Sequence, residues 1–228
     1  MRIHSLVLTL ALTLALAPAL APGAAGQAQT KPAKAAPDRG APSGGDFPRG
    51  WTGRTDSKGK EADVKFVVMD PGWHITLGPA ALLWRPTDKA DGAFTVTALV
   101  SQTKAPQHAE GYGIFVGGQS LEADPQQKYA YFLIRGDGKY LIKKRDGANL
   151  MNLISAWTPH PAIVKQGATG EATNRLEVTM DKTRLVFRVN GKEVYSADPR
   201  LIDTKGIVGL RVNHNLDLHV QSFDVKKL

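Results

Sequence analysis

From Trp51 onward the chain is a succession of short runs rich in Val, Ile, Phe, Tyr and Thr, each closed by turn residues. This pattern constrains the fold more than any other feature, because runs of that length and composition read as strands. The clearest runs are Phe66–Met69, Trp73–Leu77, Ala81–Trp84, Phe94–Ser101, Gly111–Val116, Tyr129–Arg135, Tyr140–Arg145, Asn174–Met180, Arg184–Val189, Lys192–Ala197, Gly206–Asn213 and Asp217–Asp224. Arg135-Gly136-Asp137-Gly138-Lys139 predicts a hairpin, since glycine accepts the left-handed dihedrals such turns need. Asn190-Gly191 is the strongest short hairpin signal, and Asp181-Lys182-Thr183 separates two further runs. A short helical turn is expected around Ala197–Leu201, and nowhere else does a helical period persist. Strands joined by hairpins predict an all-β fold of two stacked antiparallel sheets.

Period-two alternation assigns faces, because successive strand side chains point opposite ways. Ala130, Phe132 and Ile134 form one row of their run, against Tyr129, Tyr131, Leu133 and Arg135. Val208, Leu210 and Val212 form a core row, against Gly209, Arg211 and Asn213. Leu216, Leu218 and Val220 face in, and Asp217 and His219 face out. One sheet is therefore expected to carry a wet outer face of Tyr, Arg and Asn. Trp73 and Trp84, in apolar runs, are expected in the core.

The N-terminus reads differently. Arg2 and His4 precede an apolar stretch from Leu6 to about Leu20, and small residues follow to Gly26-Gln27-Ala28. A basic start, an apolar core and a small-x-small cut site are the order of a secretory signal. The apolar stretch is broken by Pro18 and falls short of the roughly 20 residues that span a bilayer. Residues 1–28 are thus expected to be removed after Ala28, leaving no membrane span and a secreted or periplasmic chain. Residues 29–50, rich in Pro, Ala, Gly and Lys, read as a flexible linker, and residues 51–228 as the β-sandwich domain. The chain has 29 Lys and Arg against 21 Asp and Glu; losing Arg2 with the signal leaves 28 against 21, so the surplus belongs to the mature protein. The absence of cysteine excludes disulfides, thiolate metal sites and cysteine nucleophiles.

Three pieces, Asn174-Arg175-Leu176-Glu177-Val178, Val189-Asn190-Gly191-Lys192-Glu193-Val194 and Gly206-Ile207-Val208-Gly209-Leu210, stand in the order and spacing of the C-terminal half of concanavalin A-like (laminin-G-like) jelly rolls. The pairing of Gly111–Val116 with Tyr129–Phe132 resembles two central strands of that fold. Over residues 65–225 the chain resembles secreted bacterial domains of the 3-keto-disaccharide hydrolase type. Arg211 stands where those domains carry Gln, and Trp157 lies well upstream of where their Trp precedes the Asn-rich strand. The resemblance implies a curved jelly-roll sandwich whose concave sheet can hold carbohydrate.

Chemical motifs are sparse. Glycoside hydrolysis needs two carboxylates about one sugar bond. The Glu-x-Asp pairs Glu61-Ala62-Asp63 and Glu122-Ala123-Asp124 lack the further Glu of a laminarinase-type strand, and Pro125 puts the second pair in a loop. Ser120 has no second glycine and no following helix, so it forms no nucleophile elbow. Asp217 and His219 share a face at period two, and His214 lies just before the same strand; this reads as solvated edge polarity more readily than as a metal site. A calcium ion held by loop carboxylates and carbonyls is compatible with such a sandwich, but no calcium-loop spacing places one; no other cofactor is expected, and no glycine-rich loop opens a helix. Lys143-Lys144-Arg145 splits between two faces and offers no stacking platform, so nucleic acid is not expected as a partner.

Sugar binding remains. Aromatic faces and forked polar groups hold saccharides. The candidates are Tyr129, Tyr131, Arg135, Lys143, Arg145, Arg211 and Asn213 on the outer row, with Trp157 from a loop. The loop Lys104–Glu110 is dense in polar groups. The sequence thus predicts a glycan-binding module acting without covalent chemistry. The competing readings are a hydrolase using Glu110 with His108 or His160, and a module binding another envelope protein.

Overall fold

The computed structural model describes residues 47–56, 60–123 and 125–228. The expected signal and most of the expected linker lie outside them. The described strands, in chain order, are β1 (Thr52–Thr55), β2 (Val64–Val68), β3 (Trp73–Leu77), β4 (Ala81–Ala90), β5 (Phe94–Gln102), β6 (Gly111–Gln119), β7 (Lys128–Arg135), β8 (Lys139–Asp146), β9 (Asn149–Asn152), β10 (Thr158–Pro159), β11 (Ala172–Met180), β12 (Leu185–Val189), β13 (Lys192–Ala197), β14 (Gly206–Val212) and β15 (Asp217–Lys227). One sheet has eight strands in the order β1-β4-β14-β6-β7-β8-β10, with β9 on β8; the other has seven, in the order β13-β12-β11-β5-β15-β3-β2. All pairings are antiparallel, as the hairpin-rich sequence predicted. The chain is an all-β, two-sheet jelly roll of the concanavalin A-like type. The only helical turns among the described residues are 3-10, at Glu61–Asp63 and at the expected Pro199–Leu201.

The turn chemistry acts as expected. Gly138, at φ +83°, donates its N–H to the Arg135 carbonyl at 3.0 Å and closes β7 onto β8. Asn190 and Gly191 both take positive φ, 50° and 78°, which a two-residue turn with the natural strand twist requires. The Asp181 carboxylate accepts the N–H groups of Thr183 and Arg184, each at 2.7 Å, and so holds the turn between β11 and β12.

The inward rows are those that alternation assigned. Phe132, Ile134, Val208, Leu210, Val212, Leu216, Leu218 and Val220 all lie in the core between the sheets. Phe132 of one sheet meets Phe187 of the other edge-to-face, with ring centroids 5.4 Å apart. Each such ring removed from water contributes roughly 1.5–3 kcal/mol.

Four differences from the sequence reading have local causes. Strands β1, β9 and β10 were not anticipated: β1 is the polar Thr-Gly-Arg-Thr, β9 is wholly exposed and shows no alternation, and β10 has two residues, one of them proline. Phe47, within the stretch read as linker, packs its ring 4.7 Å from that of Phe66. Asp217 and His219 do not mark an edge, because β15 runs inside its sheet between β5 and β3. Trp73 is in the inter-sheet core as expected, but Trp84 is buried on the outer face of the eight-stranded sheet.

Candidate functional site

The eight-stranded sheet buries its outer face as well as its inner one. Cross-strand register sets Phe115 beside Tyr131 and Tyr131 beside Lys143, with Tyr129 beside Arg145. Leu82, Trp84, Phe115, Leu121, Tyr129, Tyr131 and Leu133 form a second apolar cluster there, against which Trp157 and Ile207 pack. Tyr129 and Tyr131 are only 3% and 9% exposed, which corrects the expectation of a wet row. The cause is tertiary. Leu121, from the loop after β6, joins the cluster and is tied back by Arg54, whose Nη1 donates to its carbonyl at 3.2 Å. Burial pushes the Tyr131 hydroxyl up to about 12, against the pull of the Arg211 charge.

Arg211 is likewise buried rather than wet. Its partner on β6, Gly113, and its neighbour along the same row, Gly209, bear no side chains. Its guanidinium, 10% exposed, grips the carboxylate of Asp56 with two hydrogen bonds, 2.8 Å at Nη1–Oδ1 and 2.5 Å at Nη2–Oδ2. Burial would raise the Asp56 carboxyl. The hydrogen bonds and charge of Arg211, with the charges of Arg145 and Arg54, outweigh it and hold the group below the usual carboxylate range. Burial likewise opposes charge on Arg211, yet Asp56 raises its affinity for the proton further.

One end of this face is polar, and Gly111 is its hub. A side chain at Gly111 would meet Trp157 Cη2 at 2.6 Å, so the indole lies over the backbone only because the residue is glycine. The Gly111 carbonyl accepts the Asn213 N–H at 2.9 Å, and Gly111 pairs across the sheet with Arg135. The Arg135 guanidinium stacks on Trp157, 4.5 Å from the ring centroid, and is fixed there by two 2.7 Å hydrogen bonds to Asp137. Burial tends to raise the Asp137 carboxyl, but the hydrogen bond and charge of Arg135, helped by Lys139, lower it. Glu110, next to the hub, stands 3.3 Å from His214 Nε2. Burial raises the Glu110 carboxyl, and His214, a hydrogen bond from Asn213, and the charges of His108 and Arg135 only partly offset that. His214 is held from its other side by Asn215, 3.1 Å from Nδ1.

The structure therefore gathers Glu110, Arg135, Trp157 and Asn213 at one end, with His108 near enough to act on Glu110 electrostatically. It buries Tyr129, Tyr131 and Arg211 along the middle, and leaves Lys143 and Arg145 half-buried toward β9. Arg145 donates to the Gly147 carbonyl at 3.0 Å. His160 is elsewhere: its ring packs on Tyr140, a residue of the inter-sheet core, and its Nδ1 accepts the Ala162 N–H. It does not join Glu110. The sequence reading missed Asp56 and Leu121 and gave His214 no part in the site. Asp56 lies 155 residues from Arg211, and no local motif carries that pairing. His214 directly follows Asn213, but alternation gives it the opposite side from Arg211 and Asn213, so extending the β14 row would not have found it.

Among the described residues no group of three or more His, Cys, Asp or Glu side chains converges to hold a metal ion. A cleft of about 120 Å³ lined in part by Gly117, Lys128, Tyr129, Arg145 and Asp203 lies at the opposite end from Gly111.

No family model matches the chain, and no curated protein matches it in sequence. Solved structures do resemble it. The carbohydrate-binding module CBM66 from Bacillus subtilis is 12% identical, with 78% of this chain and 96% of that chain covered and a TM-score of 0.51. The metal-free carbohydrate recognition domain of Emp46p is 14% identical, with 78% and 88% covered and a TM-score of 0.53. A Bacillus subtilis protein of unknown function with a galectin-like fold is 14% identical, with 78% and 89% covered and a TM-score of 0.54. Identities this low carry the fold alone: a jelly roll shared with lectin-like domains, with no hydrolase family singled out.

Proposed function

We propose that the chain is a carbohydrate-binding module that seats a saccharide at the Gly111 end of the eight-stranded sheet, without covalent chemistry. The observation that carries this reading is the convergence on Gly111 of an indole, a guanidinium stacked on it, and the side chains of Glu110, Asn213 and His214. An aromatic ring offers a surface to sugar C–H groups, and fixed polar forks give direction to hydroxyls. Salt-bridging to Asp137 and stacking on Trp157 hold Arg135 in place before a ligand arrives, which lowers the entropic cost of binding. The likeness to CBM66 and to the Emp46p carbohydrate recognition domain supports the same reading.

Hydrolysis by paired carboxylates draws no support here. The groups that act on Glu110 are His214, Asn213, His108 and Arg135, and the other carboxylate at this end, Asp137, is engaged by two hydrogen bonds from Arg135. We place the module outside the cytoplasm on the order of its first 28 residues; mass spectrometry of the exported protein should find Gln29 at its N-terminus.

The test of binding is a glycan array followed by calorimetry on the best ligand. Trp157→Ala should weaken that ligand about tenfold or more, as expected for an aromatic anchor, while the melting transition stays cooperative. An array without signal, beside tight capture of an envelope protein, would replace this reading with the protein-interaction one.

A further inference from the structure

The Arg211–Asp56 pair deepens this reading, on which the inference rests, by indicating the class of saccharide. Arg211 and Asn213 lie two positions apart along one strand direction, on the side of the sheet that bears Trp157. At about 3.3 Å per residue that separation is roughly 7 Å. A sugar ring placed against Trp157 and Asn213 would therefore bring its neighbouring substituent over Arg211.

What now fills that position is a carboxylate. The Arg211 guanidinium is buried, with Tyr129 and Tyr131 near enough to act on it electrostatically, and the Asp56 carboxylate covers its donor edge in the two-point geometry that guanidinium groups use for carboxylates. The two partners differ in exposure. The Arg211 side chain is 10% exposed and the Asp56 side chain 35%, so the anion sits on the solvent side of the cation. Asp56 follows the end of β1, a four-residue strand at the margin of the sheet, and its backbone N–H is held by the Ala80 carbonyl at 2.8 Å. Arg211 Nε, buried, has no acceptor among the described residues. The carboxylate could leave toward solvent from the margin of the sheet, whereas Arg211 is held deeper, on a strand inside it.

We infer that the ligand is an acidic saccharide, and that its uronate carboxylate takes the place of Asp56 on Arg211. Asp56 then acts as an internal competitor that keeps the buried cation neutralised until such a ligand arrives. A neutral sugar has nothing with which to displace it.

The experiment compares trigalacturonate with its methyl ester by calorimetry, at low and high salt. The wild-type protein should prefer the acid about tenfold or more, and the preference should shrink as salt screens the new ion pair. Asp56→Asn should strengthen acid binding several-fold by removing the competitor, and Arg211→Gln should abolish the preference. If either variant fails to fold, hydrogen exchange on the wild type decides: saturating trigalacturonate should speed exchange at Thr52–Asp56, and the ester should not. Equal binding of acid and ester, or neutral glycans alone on the array, would overturn the uronate assignment and leave carbohydrate binding standing. No signal from any saccharide would overturn both.

Discussion

The outer faces of the two sheets are built from different residues. On the seven-stranded sheet the outward row is short and polar. Thr95 meets Thr179 at 3.1 Å, Ser101 meets Thr173 at 2.6 Å, Arg188 pairs with Glu177 at 2.9 Å, and His74 stacks against His219. On the eight-stranded sheet the outward row holds Trp84, Phe115, Tyr129, Tyr131 and a buried arginine. Holding a sandwich together requires only the inner faces. Threonine and serine suffice where a sheet merely meets water, since small cross-strand pairs satisfy one another there. A second layer of aromatics, roofed by Leu121 and Trp157, goes beyond what the fold requires and marks the face on which function is proposed.

Mutations should reproduce this contrast in order of size. Phe132→Ala, on the shared inner face, should cost about 3–5 kcal/mol by urea denaturation, as emptied aromatic core sites do. Tyr131→Ala, on the roofed outer face, should cost roughly 2–3 kcal/mol; a loss below about 1 kcal/mol would mean that this cluster is not a second core. Thr95→Ala, on the other outer face, should stay within about 0.2–1 kcal/mol.

The polar end offers a subtler comparison, because its two carboxylates respond to pH with opposite signs. Glu110 has a raised carboxyl, so its charge disfavours the fold at neutral pH, and that cost is relieved as pH falls through the raised value toward the ordinary 4.5. Glu110→Gln should accordingly be more stable than wild type at pH 7, with the gap closing by pH 4.5. Asp137 has a lowered carboxyl, so its contribution is complete above 3.8 and is lost only below it. Asp137→Asn should be less stable than wild type at pH 7, and the two should converge only below pH 3.8. Urea midpoints across pH would show both, and parallel curves would contradict both signs.

The inner face was readable because alternation is local: a run such as Tyr129–Arg135 states its own two sides. So were the turns at Arg135–Lys139 and Asn190-Gly191, whose chemistry lies within a few residues. What alternation cannot state is whether the other side meets water. That depended on Leu121, Trp157 and Asp56, which arrive from distant loops and from an unanticipated edge strand. Glu110 and His214 were each noticed, but their meeting follows from β6 pairing with β14, a neighbour relation fixed only by the order of strands in the sheet. Arg135 and Asn213 were picked from the row on which they sit, and the hub between them, Gly111, was seen only as the start of a strand.

The place of β15 has a consequence for assembly. It joins β5 on one side and β3 on the other, so the β2–β3 hairpin reaches the rest of its sheet only through a strand encoded more than a hundred residues later. Contacts of such long range form slowly, and the unpaired borders of β3 and β5 are open to wrong partners while they wait. A chain wired in this way keeps that sheet unfinished until β15 is available, which makes protection of those open borders in the meantime an expected need.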